Sequence, residues 1–183
     1  ELANPEVPEN PAKAPWYFLG LQELVSYSAF MGGMVIPGIV VVGLSLIPYL
    51  DREEEDVGIW FSGRKGRRIA AVSAVYGALL SVGILAFTVK YGWMDKWEWL
   101  KKLVDEIPAI VVIFFNPGTL FVLGAAAWSI GLLRRTNSTR MAAIGLFSCF
   151  LVCFVILTYF ATFLRGPNWD FYWSQADWPV STH

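Results

Sequence analysis

The sequence predicts an all-α integral membrane protein with about four transmembrane helices and one interfacial amphipathic helix. Hydrophobic residues make up 56% of the chain and charged residues only 16%, and the mean hydropathy is +0.50. A soluble domain is rarely this apolar. The charges also gather between long uncharged runs, as expected when the runs cross a bilayer. No period-two pattern marks a strand.

Two segments precede the first predicted span. Four prolines punctuate residues 1–15, and because proline fixes φ and lacks an N–H, we expect an extended arm. Residues 16–30 are rich in Trp, Tyr and Phe. These amphipathic rings favour the boundary between lipid and water, so this segment is expected at the membrane surface.

Four apolar runs are long enough to cross the hydrocarbon core. They cover residues 31–50, 69–89, 107–133 and 141–164. The third run is interrupted by Asn116, Pro117 and Gly118. The interruption indicates either a kink within one helix or a helix that begins near Thr119.

The interfacial helix is predicted at residues 91–106. Trp93, Trp97, Leu100 and Val104 recur there at helical spacing. One apolar stripe on an otherwise charged helix is typical of a segment that lies flat among the headgroups.

Few residues are suited to metal or nucleophilic chemistry. Cys149 and Cys153 lie one turn apart in the fourth run, where they are expected to be buried thiols, and we predict no metal site. His183 is the sole histidine, so the spans cannot supply paired histidines to a haem. A net charge of −1 provides no basic field for nucleic acid.

The distribution of Lys and Arg predicts the topology. Eight lie in the connections after the first and third spans, and six lie on the opposite side. The positive-inside rule then places both termini on the outer side of the membrane. The aromatic tail from Trp169 to Trp173 is expected there, either as an interfacial belt or as a dock for a partner.

The segment Ala14, Pro15, Trp16 and Tyr17 carries a family resemblance. With the following FLGLQEL and the helix exit IPYLDR at residues 47–52, it resembles the C-terminal half of cytochrome b, and its detached form subunit IV, in cytochrome bc complexes. The likeness covers residues 8–90. The family carries Pro-Glu-Trp-Tyr at its quinol-oxidation site, and here Pro15 stands at the position of the Glu.

The resemblance implies a non-haem subunit of a quinol:cytochrome c oxidoreductase, which is not catalytic alone. It divides the chain into an outer-side arm and quinol-site loop (1–30), a subunit IV-like two-helix region (31–90) and a remainder with two further spans (91–183). On this resemblance, the complex would belong to an electron-transport or respiratory chain in an energy-transducing membrane and would couple quinol oxidation to proton translocation.

The resemblance also implies the cofactors and partners. Quinol would bind at a site shared between chains. Haem b is expected on a cytochrome b subunit and the iron–sulfur cluster on a Rieske-type protein, with a cytochrome c subunit as a further partner.

The candidate quinol-binding residues on this resemblance are Pro15, Trp16, Tyr17, Phe18 and Leu19. Plain interfacial anchoring explains the same aromatic residues. With Glu absent from the motif, Glu23 becomes the candidate catalytic proton acceptor. It lies seven residues after Trp16 and therefore on the same face of a helix. The other interpretation of Glu23 is a solvated carboxylate.

Two alternative functions stay open. One is a structural membrane subunit with a degenerate quinol site, since the family's Glu is missing. The other is a multi-span transporter, which the lack of charged residues inside the spans disfavours.

Overall fold

A computed structural model describes residues 13–50, 59–92, 111 and 115–178. These residues fold almost entirely into helices, with one isolated β-bridge between Arg165 and Phe171. The α-helices are α1 (Trp16–Tyr27), α2 (Ile36–Leu50), α3 (Gly63–Tyr91), α4 (Pro117–Thr136) and α5 (Thr139–Phe163). A π-helix, Met31–Val35, leads into α2, and 3-10 turns occupy Trp60–Ser62, Pro167–Trp169 and Gln175–Asp177.

Three helices, α3, α4 and α5, are long and apolar enough to cross a membrane. The predicted all-helical fold is confirmed for the described residues, and three of the helices have the length and composition that a membrane span requires. The first predicted span, 31–50, is also helical, but it consists of a short π-helix followed by α2. Helix α2 alone is shorter than the three long helices. The predicted interfacial helix at 91–106 lies outside the described residues apart from the end of α3.

Within the predicted third span, 107–133, a helix begins at the interruption, as the second of the two interpretations predicts. Helix α4 begins at Pro117, and the Asn116 side chain accepts a hydrogen bond from the Thr119 N–H at 3.1 Å. Asparagine before the first turn and proline at its first position are the favoured residues there. A tight turn then joins α4 to α5: Asn137 has φ of 50°, and the Ser138 side chain caps α5.

Helix α3 packs most extensively on α5. Its buried face is made of small side chains, including Gly66, Ser73, Gly77 and Ser81. A Cβ placed on Gly77 would lie 3.0 Å from the carbonyl oxygen of Cys149. The two backbones therefore approach closely, as small residues allow in membrane helix pairs. Cys149 and Cys153 are free thiols buried at this contact.

Polar side chains join α3 to α4. The Tyr76 ring stacks on Trp128 with centroids 4.3 Å apart, and the Tyr76 hydroxyl donates to the Gly124 carbonyl at 3.0 Å. The Trp128 indole N–H donates to Ser73 Oγ at 2.8 Å. Hydroxyl groups in an apolar helix thus find partners on a neighbouring helix, which removes the cost of burying them unpaired.

The bundle has two ends, which we name by what they carry. The Lys13 ammonium donates to the Thr162 carbonyl at 3.0 Å, so the start of the described chain lies beside the end of α5. We call this the terminal end. At the other end, a Cβ on Gly66 would lie 3.3 Å from Ile144, which brings the start of α3 beside the start of α5. We call this the basic end, since Arg64 and Arg68 are there.

We predict that Gly77→Val destabilises the fold by roughly 1–3 kcal/mol, because a side chain there meets the Cys149 backbone. The matched control is Gly83→Val on the same helix, since a Cβ at Gly83 meets nothing within 4 Å. Thermal unfolding of the detergent-solubilised chain measures both. Equal losses at the two glycines would contradict this account of the α3–α5 contact.

Candidate functional site

Helix α1 packs against α5 at the terminal end. Leu19, Gly20, Glu23 and Leu24 form its buried face. A Cβ on Gly20 would lie 3.0 Å from Thr158 Oγ1 and 3.3 Å from the Phe154 carbonyl oxygen. The absence of a side chain at this glycine therefore allows α1 to lie close along α5.

The first turn of α1 carries an exposed aromatic shelf, which we define as Trp16, Tyr17 and Phe18. Trp16 is 69% exposed, and the other two rings are about half exposed. Trp16 and Tyr17 meet edge to face with centroids 5.7 Å apart, and Tyr17 and Phe18 lie 4.9 Å apart. The three rings thus present one continuous surface.

The two other candidate quinol-binding residues, Pro15 and Leu19, differ in their exposure. Pro15 is exposed and precedes α1, and its carbonyl accepts the Phe18 N–H at 2.8 Å. Leu19 is turned inward and is only 5% exposed. The structure therefore brings Pro15 and the three aromatic residues together on the surface and directs Leu19 into the bundle.

Glu23 is the centre of a buried polar network. Its side chain is 0% exposed, so the interpretation of a solvated carboxylate is wrong. Arg165 donates from Nη2 to Glu23 Oε1 at 2.6 Å and from Nε to Oε2 at 3.0 Å. Such a two-pronged pair combines charge with fixed geometry. It joins α1 to the residue that follows α5.

Two more donors complete the coordination of the Glu23 carboxylate. The Tyr27 hydroxyl donates to Oε1 at 2.5 Å, and the Trp169 indole N–H donates to Oε2 at 2.9 Å. Arg165 also donates from Nη1 to the Trp169 carbonyl at 2.9 Å. Both carboxylate oxygens are therefore engaged by at least two donors each, which is what burial of a charge requires.

The backbone of Trp169 is strained in order to reach this network. Its φ is 63°, in the left-handed region, which is unfavourable for a bulky side chain and costs on the order of 1–3 kcal/mol. The neighbouring Phe171 pairs with Arg165 in the β-bridge and its ring lies 5.7 Å from Phe160. The tail after α5 is thus folded back to deliver the indole N–H to Glu23.

The network also shifts the pKa values of its members. Burial, together with the adjacent Glu23 carboxylate, raises the pKa of the Tyr27 hydroxyl, which therefore stays protonated and donates. Burial opposes the charge of Arg165, but hydrogen bonds and attraction to Glu23 outweigh it, so the pKa of Arg165 lies above its usual value. The guanidinium also lies 5.1 Å from the Phe160 ring centroid.

Lys13 links the start of the described chain to its tail. Its ammonium lies 4.9 Å from the ring centroid of Trp178, in addition to the bond with Thr162. Partial burial lowers the pKa of Lys13. The segment before α1 is therefore held against both α5 and the aromatic tail.

Sequence reasoning missed the partners of Glu23. Tyr27 was visible in principle, because it follows Glu23 by four residues and shares its helix face. In the sequence analysis, Arg165 was counted only among the outer-side charges, and Trp169 was considered only as an interfacial aromatic residue. No local signal connects them to Glu23, since 142 residues separate Arg165 from it.

The described residues also bear on metal binding. Across residues 13–50, 59–92, 111 and 115–178, no group of three or more His, Cys, Asp or Glu side chains comes together. At the terminal end, the structure places an exposed aromatic surface beside a buried ion pair.

The described residues thus form an all-helical bundle with three helices long and apolar enough to cross a membrane and a buried polar network at one end. Comparisons with protein-family models, with curated proteins and with solved structures find no match.

We predict that Glu23→Gln and Arg165→Gln each destabilise the protein by roughly 3–5 kcal/mol, because each leaves one buried charge without a partner. The double variant removes both charges, so its loss should be smaller than the sum of the single losses by about 1–3 kcal/mol. Equilibrium unfolding in detergent measures the cycle. Asp170→Asn, at an exposed acid of the same end, is the control and should change stability little. Strictly additive single losses would contradict the proposed coupling.

Proposed function

We propose that this chain is a non-haem membrane subunit of a quinol:cytochrome c oxidoreductase of the cytochrome bc type. In this proposal it contributes one wall of the quinol-oxidation site and supports electron transfer coupled to proton translocation. The observation that carries the proposal is the exposed aromatic shelf, Trp16 to Phe18, on a helix that the buried pair Glu23–Arg165 fixes two turns further along.

An exposed aromatic surface suits one side of a pocket for a flat ring. Aromatic rings stack on or against such a ligand, and the Tyr17 hydroxyl can bond a quinol oxygen. Quinol oxidation releases two protons and two electrons. The electrons would pass to the iron–sulfur protein and haem b of partner subunits, because the sole histidine of this chain, His183, lies at its end.

We further propose that α2, with the π-helix before it, is a fourth transmembrane span. At its start, Ile36 lies 3.6 Å from a Cβ built on Gly118 at the beginning of α4. At its end, the Leu50 carbonyl accepts from Thr139 Oγ1 at 3.4 Å, at the beginning of α5. Because those two helix starts lie at opposite ends of the bundle, this segment extends from one end to the other.

We propose that the basic end faces the cytoplasm or its equivalent, so that the termini and the shelf face outward. Of the described residues, seven Lys and Arg lie at the basic end: Arg64, Lys65, Arg67, Arg68, Arg134, Arg135 and Arg140. Lys13, Lys90 and Arg165 lie at the terminal end. This bias supports the orientation through the positive-inside rule, and the resembled family oxidises quinol on the outer side.

A structural membrane subunit with a degenerate quinol site is the second candidate. The observation that favours it is the engagement of both Glu23 oxygens by Arg165, Tyr27 and Trp169. A carboxylate bound in this way has a structural role that requires no proton transfer. Transport is less well supported, because the described parts of α3, α4 and α5 carry Lys and Arg only near the helix ends.

The first experiment is purification of the intact complex through a tag on this chain, followed by its haem spectrum and quinol:cytochrome c turnover. We expect b-type haem to co-purify and Trp16→Ala to lower kcat/KM by roughly tenfold or more, since the shelf loses its largest ring. Phe147→Ala, which removes an exposed ring from α5, is the matched control and should leave turnover unchanged. Purification without a haem-bearing partner would overturn the proposal.

The part played by Glu23 is tested by the pH dependence of turnover in the same complex. If Glu23 accepts a quinol proton, Glu23→Gln removes the limb of the rate profile that depends on an ionised base. Tyr27→Phe is the comparator, because it removes one bond to the same carboxylate but keeps the acid. A Glu23→Gln profile with the shape of the parent's would assign Glu23 to structure alone and favour the second candidate.

A further inference from the structure

Helix α3 has two faces of opposite character. Its buried face of small residues contacts α5, as described above. The opposite face is exposed and reads, in order along the helix, Arg64, Lys65, Arg68, Val72, Val75, Leu79 and Val82. At about 100° per residue these seven positions fall within one sector of the helix. We call this sector the outer face of α3.

The outer face divides into a cationic part and an aliphatic part. The three cations occupy the first two turns at the basic end, and the four aliphatic residues occupy the turns toward the middle of the bundle. Leu79 is 70% exposed. From Val72 to Val82 the helix rises by about 15 Å, which matches much of the length of an acyl chain in one leaflet of a hydrocarbon core roughly 30 Å thick.

The positive charge at this end has no counterpart within the described residues. No ion pair joins Arg64, Lys65 or Arg68 to another described side chain, and the first turn of α3 carries no acidic residue. Cations at a helix N-terminus are opposed by the helix dipole. A bound anion would offset both the unfavourable interaction of the cations with the helix dipole and their mutual repulsion.

Helix α4 adds two more cations at the same level. Ser73 of α3 bonds Trp128 of α4, and the two helices run in opposite directions. Gly66 lies seven residues before Ser73 on α3, and Arg135 lies seven residues after Trp128 on α4. Because the helices are antiparallel, Gly66 and Arg135 lie at the same distance from the Ser73–Trp128 bond, toward the basic end. The exposed side chains of Arg134 and Arg135 therefore lie at the depth of the α3 cations.

We infer that the outer face of α3 binds an anionic phospholipid. The phosphate contacts Arg64, Lys65 and Arg68, with Arg134 and Arg135 contributing to the local field, and one acyl chain lies along Val72, Val75, Leu79 and Val82. Clusters of Lys and Arg directly beside a membrane helix attract anionic headgroups, and the aliphatic residues continue the same face into the hydrocarbon. This inference is independent of the quinol proposal, since it uses the other end of the bundle.

A phospholipid fits this face better than inorganic phosphate does. A soluble phosphate would use the cations and leave the aliphatic residues without a role. An amphiphile with one negative charge and a long chain complements both parts in the order in which the helix presents them.

The test titrates the full chain, in a neutral detergent, with dioleoyl phosphatidylglycerol or dioleoyl phosphatidylcholine and measures binding by native mass spectrometry. We expect the anionic lipid to bind about a hundredfold more tightly, since each of three basic side chains near the surface contributes roughly a fivefold factor. Raising the salt concentration should reduce this preference.

The variant Arg64→Gln/Lys65→Gln/Arg68→Gln should abolish the preference for the anionic lipid. Lys65→Gln alone should lower the affinity about fivefold, whereas Lys90→Gln, at the other end of the same helix, should not change it. Glycerol 3-phosphate, which has the anion without the chains, should neither bind measurably nor compete.

Three results would overturn the inference. The first is equal affinity of the parent chain for the two lipids. The second is an equal effect of Lys65→Gln and Lys90→Gln. The third is competition by glycerol 3-phosphate, which would make this a site for a soluble anion. The comparison of lipids on the parent chain needs no variant to fold.

Discussion

The buried pair between Glu23 and Arg165 is the interaction on which the terminal end of the molecule depends. It bonds the middle of α1 to the residue after α5, and Tyr27 and Trp169 complete it. A charge buried without such partners would cost several kcal/mol. The position of the aromatic shelf follows from this pair, since Trp16, Tyr17 and Phe18 occupy the first turn of the helix that it holds.

Much of the fold was predictable because a bilayer restricts the choices. Long uncharged runs can satisfy their backbone groups there only as helices, and the described helices α3 and α5 lie close to the predicted spans 69–89 and 141–164. The start of α4 was also predictable from the sequence, because Asn is a favoured N-cap residue and Pro is favoured at the first helical position.

The candidate site was less predictable, because its geometry depends on contacts far apart in the sequence. Spacing within α1 put Glu23 on the same face as Trp16, yet Glu23 is buried and Trp16 is exposed. The difference arises from which part of α1 lies on α5. Burial of Leu19 has the same origin. The left-handed backbone of Trp169, a conformation that sequence patterns do not favour for tryptophan, was equally invisible beforehand.

The close approach of α3 and α5 restricts where any large planar molecule can be accommodated. At Gly77 the two backbones leave too little room for even one methyl group without displacement, so a ring system inserted between these helices would have to force the bundle apart. The contact between α3 and α5 therefore offers no slot for such a ligand at this depth. On the exposed rings of α1, by contrast, a flat molecule has access to one wall, and a neighbouring polypeptide or lipid would supply the second.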